Sequence, residues 1–287
     1  MLNSCADNFC YVDAPLKRIF GEIFHLMILA YSFCNVPVMP VRSEPSHKAE
    51  QVNQLLFGER AEVLEVNDKD WARIRGEWDD YEGWCKISQL CFITQKEYRK
   101  AVRNLSTKHT NKLIFEDSEM MLPMGSELFG MKRSKILLAN KDGKFKGKKL
   151  NVKKTELNCD NIREWAMQYM HAPYQWGGRS ILGIDCSGLS QMVYKMCGKR
   201  ISRDASQQAM EGEDVNFLQN SRCGDLAFFD NADGNIVHVG IILDNQTIIH
   251  AADSIGRVVV DRIDQGGIIS IQLKKRTHNL RMVKRYF

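Results

Sequence analysis

One cysteine and two histidines carry the chemistry that can be read from this 287-residue chain. A thiol attacks a carbonyl carbon well only as a thiolate. The start of a helix favours that form, because its unpaired backbone N–H groups and its dipole stabilise negative charge. Cys186 sits in Asp185-Cys186-Ser187-Gly188, behind the glycine loop Trp176-Gly177-Gly178-Arg179. Leu189, Met192, Val193 and Met196 follow at helical spacing, so a buried helix is expected to begin near Cys186. There its own N–H and those of the loop form a candidate oxyanion hole. A cysteine nucleophile needs a base, and the base needs an orienting group. His238, in Ile236-Val237-His238-Val239-Gly240-Ile241, is the candidate base, and His250, in Thr247-Ile248-Ile249-His250-Ala251, the candidate orienting group. Both lie among β-formers, on what read as consecutive strands of one hairpin. Gly240 shares a face with His238 and is expected to leave room for the cysteine or a substrate.

The hairpin makes a register prediction. Side chains alternate faces along a strand, so an even two-residue turn at Asn245-Gln246 would put His238 and His250 on opposite faces. A catalytic pair requires an odd loop, Asp244 to Gln246, or a β-bulge. With the odd loop His238 faces Ala252, and His250 becomes its diagonal neighbour, about 7–8 Å away at the backbone and within reach of an imidazole.

Several elements must position these residues. Asp160 or Asn161 is expected to cap a helix holding Ile162, Trp165, Ala166, Tyr169 and Met170, which ends before Pro173. Strand-like runs follow the cysteine helix at Leu226 to Phe229, Ile236 to Leu243, Thr247 to Ala251 and Arg257 to Val260. A cysteine-bearing helix followed by an antiparallel sheet is an α+β arrangement. Upstream, Ala61 to Val66, Trp71 to Ile74 and the strand opened by Tyr81-Glu82-Gly83-Trp84 are short and separated by polar turns, as in a small barrel. Residues 93–155 read as a second, divergent barrel, with a short helix from Gln95 to Val102. The organisation is therefore a helical segment at 1–30, barrels at 31–92 and 93–155, and the cysteine-bearing unit at 156–287.

A net charge of +5, with 44% hydrophobic and 26% charged residues, describes a globular chain and gives no reason to expect a nucleic-acid partner. The local run of lysines from Lys141 to Lys154 reads as a solvated hairpin surface. Lys17-Arg18 precede an apolar run that Glu22 and His25 interrupt, and no small-residue cleavage site follows. The expectation is a packed amphipathic helix rather than a secretion signal, with no stable membrane insertion. Nine cysteines without a Cys-x-x-Cys pair argue against a zinc site. They also argue against a disulfide framework and for a reducing compartment, which favours the cytoplasm over the periplasm or envelope.

Five motifs in order give the chain a resemblance. Tyr174-Gln175-Trp176-Gly177-Gly178, Asp185-Cys186-Ser187-Gly188-Leu189, Gly224-Asp225-Leu226-Ala227-Phe228-Phe229, His238-Val239-Gly240-Ile241 and His250-Ala251 resemble the NlpC-type papain-like cysteine peptidases of bacterial cell-wall metabolism. The upstream β region, with Gly83-Trp84, resembles a bacterial SH3-like domain. Together they are similar to γ-D-glutamyl-L-diamino-acid endopeptidases, the dipeptidyl-peptidase VI type. The resemblance implies a triad of Cys186, His238 and His250, with Tyr174 near the oxyanion and no metal or organic cofactor. It implies a monomer acting on peptidoglycan-derived peptides, L-Ala-γ-D-Glu-diamino acid, with a free N-terminus. Asp185, with Tyr81 and Glu50 of the first barrel (Glu44 as a second choice for the acid), would read the amine. Ser187 and Ser206 would hold the D-glutamate carboxylate, Arg203 could add charge, and Trp176 would line the site. The Gly224-Asp225 turn is expected to be structural. Two rival functions remain: an N-acetylmuramoyl-L-alanine amidase, and a cell-wall-binding module with an inactive site.

Overall fold

The computed structural model describes residues 28–138 and 141–287. All but the last few residues of the segment expected to be helical at 1–30 lie outside the described residues. Among the described residues no helix is long and apolar enough to cross a membrane.

The first unit is a seven-stranded antiparallel sheet in the order Gln51–Leu56, Val38–Arg42, Glu82–Lys86, Trp71–Gly76, Arg60–Val66, Ala30–Cys34, Leu90–Ile93. Register shifts after Val41 and Val63 bend it, as bulges do in small barrels. Alternate residues point inward, so Met39, Val41, Val63, Ala72, Ile74 and Cys85 form its core.

Beyond it, Thr94 caps the short helix Gln95–Tyr98, which ends earlier than expected. A four-stranded sheet follows, in the order Glu119–Leu122, Asn111–Ile114, Lys141–Lys146, Lys135–Leu138, beside the strand pair Asn104–Ser106 and Lys149–Asn151. Its core of Leu113, Leu122, Leu128, Ile136 and Phe145 also takes in Phe57 from the first unit. The two β units therefore share apolar surface.

The last unit is α+β, as its periodicities predict. Asn158, rather than Asp160 or Asn161, caps the helix Cys159–Met167, its side chain accepting from Asn161 N–H. The helix Cys186–Met196 is buried along its whole length, with Asp185 as its cap. A seven-stranded sheet runs Glu213–Asp214, Lys275–Arg285, Leu226–Asp230, Ile236–Ile242, Thr247–Ala252, Arg257–Asp264, Gly267–Ser270. Its last strand pairs back onto Lys275–Arg285, so the sheet closes. One face packs Val239, Ile241, Ile249 and Ala251 in the same core as Leu189 and Met192 of the cysteine helix. The other encloses Phe229, Ile242, Ile248, Ile263 and Ile268.

One expectation about the cysteines is overturned. Cys159 and Cys223 form a disulfide across a sequence separation of 64. The first turn of a helix meets the turn before a strand there, a pairing set by tertiary packing that spacing alone does not reveal. The Gly224-Asp225 turn is structural, as expected. Gly224 O accepts from Tyr194 Oη, and Asp225 pairs with Arg285 at 2.7 Å.

Charges tie the units together. Glu59 of the first unit accepts from Arg179 on both carboxylate oxygens, at 2.7 and 2.9 Å, and from Lys195 Nζ at 2.5 Å. Lys195 also reaches Glu127 of the second unit, at 3.1 Å. All four side chains are buried. Burial alone would raise the Glu59 carboxyl, yet Arg179 and Lys195 hold it at about 2.

Candidate active site

A cavity of about 500 Å³ opens between the first barrel and the last unit. Cys186, Asp185, Ser187, Ser206 and Trp176 line it from one side, Glu50 and Tyr81 from the other, with Arg203 and Asp204 on its floor. Eight residues singled out in the sequence thus share one cavity. His238, His250 and Tyr174 are not among its lining residues.

The glycine loop makes this junction possible. Gly177 has φ +72°, and a Cβ there would lie 2.5 Å from Gln51 O, so only glycine permits this backbone at this approach. Gln51 Nε2 donates to Trp176 O at 3.0 Å, and Trp176 Nε1 donates to Glu50 Oε1 at 2.5 Å. Asp185 then fixes the start of the helix. Its Oδ1 accepts from Gly188 N–H at 2.7 Å, and its Oδ2 from Gly177 N–H at 2.8 Å and Arg203 at 2.6 Å. Arg203, only 1% exposed, also donates to Ser187 Oγ at 2.8 Å and Asn53 Oδ1 at 2.9 Å. Asp185 therefore reaches the cavity as half of a buried ion pair, which weakens its capacity to recognise an amine. Ser187 is held by Arg203, while Ser206 is exposed. Asp204, which the sequence did not single out, lies at the cavity with Tyr81, whose phenol hydrogen-bonds to it. Glu44 does not line the cavity.

Cys186 opens its helix as expected, but the helix start does not prevail. Burial first, and then the negative charge of Asp185, push the thiol up to about 12, although backbone hydrogen bonds from Val239 and Ser187 favour the thiolate. The bond from Val239 brings the sulfur against the residue that follows His238. Burial also pushes His238 well below its ordinary value, with His250 and His278 adding to the effect. A lone charge on either partner is costly in this environment. A proton moving from sulfur to imidazole creates both charges together, so the two groups are expected to titrate as a pair.

The hairpin adopts the odd register. Ile241 pairs with Ile249 and Ile242 with Ile248, and Leu243 N–H donates to Thr247 O across Asp244 to Gln246. His238 Nε2 and His250 Nδ1 lie 2.9 Å apart. Gly240 has a different reason from the one expected. A Cβ there would stand 2.6 Å from Ile248 Cδ1 and 3.1 Å from His250 Cβ. It thus makes room for the neighbouring strand rather than for the cysteine. Tyr174 bridges to Ile184 beside the cysteine loop. Burial, followed by the charges of Cys186 and Asp185, raises its phenol, so it stays a hydrogen-bond donor.

Two polar groups near the histidines gave no sequence signal. Asp261, directly after the apolar run Val258-Val259-Val260, lies 3.3 Å from His250 Nε2. His278, in a mostly polar run, stacks on His238 with ring centroids 4.1 Å apart.

Comparisons with known proteins agree with this geometry. Residues 171–277 match the NlpC/P60 family, and residues 41–90 match the bacterial dipeptidyl-peptidase Sh3 domain. Dipeptidyl-peptidase 6 of Lysinibacillus sphaericus is 29% identical over 247 residues, covering 78% of this chain and 88% of that protein. Gamma-D-glutamyl-L-lysine dipeptidyl-peptidase of Bacillus subtilis (strain 168) is 26% identical over 221 residues, covering 69% and 71%. A crystal structure of an NlpC/P60 family protein from Bacillus cereus ATCC 10987 superposes with a TM-score of 0.75 at 19% identity, covering 90% of this chain and 99% of that one, and shows the shared fold.

Proposed function

The chain carries an NlpC/P60 cysteine peptidase domain behind a bacterial dipeptidyl-peptidase SH3 domain, and from that premise we propose that it hydrolyses the γ-D-glutamyl–diamino acid bond of short cell-wall peptides with a free N-terminal L-alanine. The observation that carries this reading is the composition of the cavity. It is closed on one side by the SH3-like barrel, which suits a short peptide end. Glu50 and Asp204 lie there with Tyr81, and Arg203 is the one cation among the lining residues. Carboxylates recognise an ammonium by charge-assisted hydrogen bonds, and a guanidinium beside serine hydroxyls suits a carboxylate. Because Asp185 and Arg203 neutralise each other, the amine falls to Glu50, Asp204 and Tyr81, and the D-glutamate carboxylate to the hydroxyls of Ser187 and Ser206 beside that ion pair.

In the reaction, Cys186 Sγ bonds to the carbonyl carbon while its proton passes to His238. The carbonyl oxygen becomes an oxyanion near the Cys186 N–H and the Tyr174 hydroxyl. As the C–N bond breaks, His238 returns the proton to the leaving amine, which leaves a thioester on Cys186. Water then gives a proton to His238 and its oxygen to the acyl carbon, and the returned proton restores the thiol. No step requires a metal or cofactor, and a monomer contains every group named.

A substrate panel with free and acetylated N-termini, followed by mass spectrometry, tests this. We expect L-Ala-D-Glu to be released from the free tripeptide and kcat/KM to fall at least about 100-fold on acetylation, since the acidic side chains at the cavity then lose the ammonium they would pair with. Equal cleavage of both peptides would remove Glu50, Asp204 and Tyr81 as amine readers. Cleavage only of sugar-linked substrate, with the tripeptide left intact, would favour an amidase.

Trimming of peptides already released from the wall is a cytoplasmic task, and the reading places the enzyme there. The Cys159–Cys223 pair favours the alternative of an oxidising compartment. Thiol labelling of protein trapped directly from cells separates the two: we expect both cysteines to react if the enzyme is cytoplasmic, and neither if it works in the envelope.

A further inference from the structure

The closed sheet brings four polar side chains to one place in an otherwise apolar interior: His238, His250, Asp261 and His278. The strand Thr247–Ala252 pairs with Arg257–Asp264 so that His250 faces Val259, which leaves Asp261 diagonal to it on the same face. His250 stands in the same relation to His238, so two diagonal steps across three adjacent strands link the candidate base to a carboxylate. Asp261 is 3% exposed and His250 1%. Asp261 Oδ2 lies 3.3 Å from His250 Nε2, and its Oδ1 accepts from Ile271 N–H at 2.8 Å. The groups facing Asp261 are His250 from the preceding strand, Ser270 and Ile271 from the end of the next, and His278 from the closing strand.

We infer that Asp261 is a positioning residue of the catalytic chain, fixing the tautomers of His250 and His238 so that His238 presents a bare ring nitrogen to the Cys186 thiol. This rests on the peptidase reading above and goes beyond its triad. An ionised carboxylate can only accept, so His250 Nε2 must carry the hydrogen. Neutral His250 then has a lone pair on Nδ1, and His238 Nε2 must donate to it across 2.9 Å. Nδ1 is the nitrogen left on His238, and it is unprotonated. The direction of the whole chain is set at its far end, by a residue that does not touch the substrate. Asp261 also supplies the one negative charge in this group to balance the imidazolium formed when His238 takes the proton. Stacked His278 is pushed down to about 4, by burial first and then by His250, and stays neutral beside that imidazolium.

Asp261→Asn tests this by inverting the polarity at constant shape. The Asn oxygen remains with Ile271 N–H, so its NH₂ faces His250. That forces the hydrogen onto His250 Nδ1 and then onto His238 Nδ1, where a bare nitrogen is needed. We expect kcat to fall by about 10³-fold with KM nearly unchanged, as when the wrong histidine tautomer is imposed in a triad. Iodoacetamide labelling of Cys186 should be lost at neutral pH and return only as the medium approaches the pKa of the buried thiol. A purely structural role would change the melting temperature without moving that profile. In ¹⁵N-histidine-labelled wild type, which requires no variant to fold, His250 should appear as the Nε2–H tautomer. Finding the Nδ1–H tautomer there, or a folded Asp261→Asn protein with wild-type kcat and labelling profile, overturns the inference. Absence of hydrolysis by the wild type would overturn the peptidase reading instead, and the tautomer measurement would still judge the role of Asp261.

Discussion

Cys186→Ala should reduce hydrolysis of L-Ala-γ-D-Glu-diamino acid by on the order of 10⁵-fold or more, and His238→Ala by a similar factor. Each removes a group that makes or breaks a bond in the rate-determining chemistry. The double variant should be no worse than either single one, because two groups that act as a unit lose their joint effect when the first is removed. Burial makes this dependence strong. A thiol held at about 12 supplies almost no thiolate by itself at neutral pH, so without His238 the sulfur is inert toward both peptide and iodoacetamide. The same environment predicts the acid limb of the pH profile. His238 is depressed well below 6.5, so it remains an unprotonated base into mildly acidic solution. Activity should therefore persist below pH 6.5 and fall only when the medium becomes acidic enough to protonate the buried ring. A Cys186→Ala enzyme that still releases the dipeptide, or a profile whose acid limb lies above the ordinary histidine value, would contradict this arrangement.

Much of this site was legible because it depends on local rules. The glycine loop, the helical spacing after Cys186 and the apolar strands around both histidines are short-range patterns. The hairpin register followed from alternation alone, since only an odd loop places His238 and His250 on one face. Other features depend on which distant segments meet. Asp261 enters the chain of hydrogen bonds only through the register of a third strand, which is set beyond the turn Asp253–Gly256 and has no sequence mark. Cys159 and Cys223 read as isolated cysteines because their meeting is a matter of tertiary packing. Asp185 was read as facing the substrate. That Arg203 would neutralise it could not be seen, because Arg203 reaches it from a separate loop. Lys195, on the cysteine helix, is fully buried. Nothing near it in sequence indicates that Glu59 and Glu127 come from two other units to meet it.

That buried cluster carries the second large prediction. Glu59 and Glu127 contribute two negative charges, and Arg179 and Lys195 two positive ones; Arg60, 3.9 Å from Glu127, is balanced by Glu77 at 2.9 Å, so the group is neutral as built. Glu59→Gln leaves one uncompensated cation away from water. Breaking a buried pair from one side costs about 3–5 kcal/mol, a large part of the ~5–15 kcal/mol that holds a typical domain folded. The damage should reach catalysis too. Arg179 follows Gly178, and its backbone N–H donates to Gln54 Oε1 at 2.8 Å while its guanidinium holds Gln54 O at 2.6 Å. The cluster therefore fixes the glycine loop against the strand that begins at Gln51, next to Glu50. Loosening it should raise KM for free-amine peptides and shrink the difference between free and acetylated substrates, with less effect on the labelling of Cys186. Charge balance also predicts a rescue. In Glu59→Gln/Lys195→Met the remaining Arg179 and Glu127 again cancel, and an unbranched apolar chain replaces the lysine. The double variant should regain much of the lost stability, although Lys195→Met alone should destabilise by leaving a carboxylate uncompensated. Melting curves of the four proteins decide the matter. Simple addition of the two single losses would show that the four side chains do not act as one electrostatic unit, and that packing at Leu56, which lies in the same core as the cysteine helix, rather than charge holds the barrel against the cysteine-bearing unit.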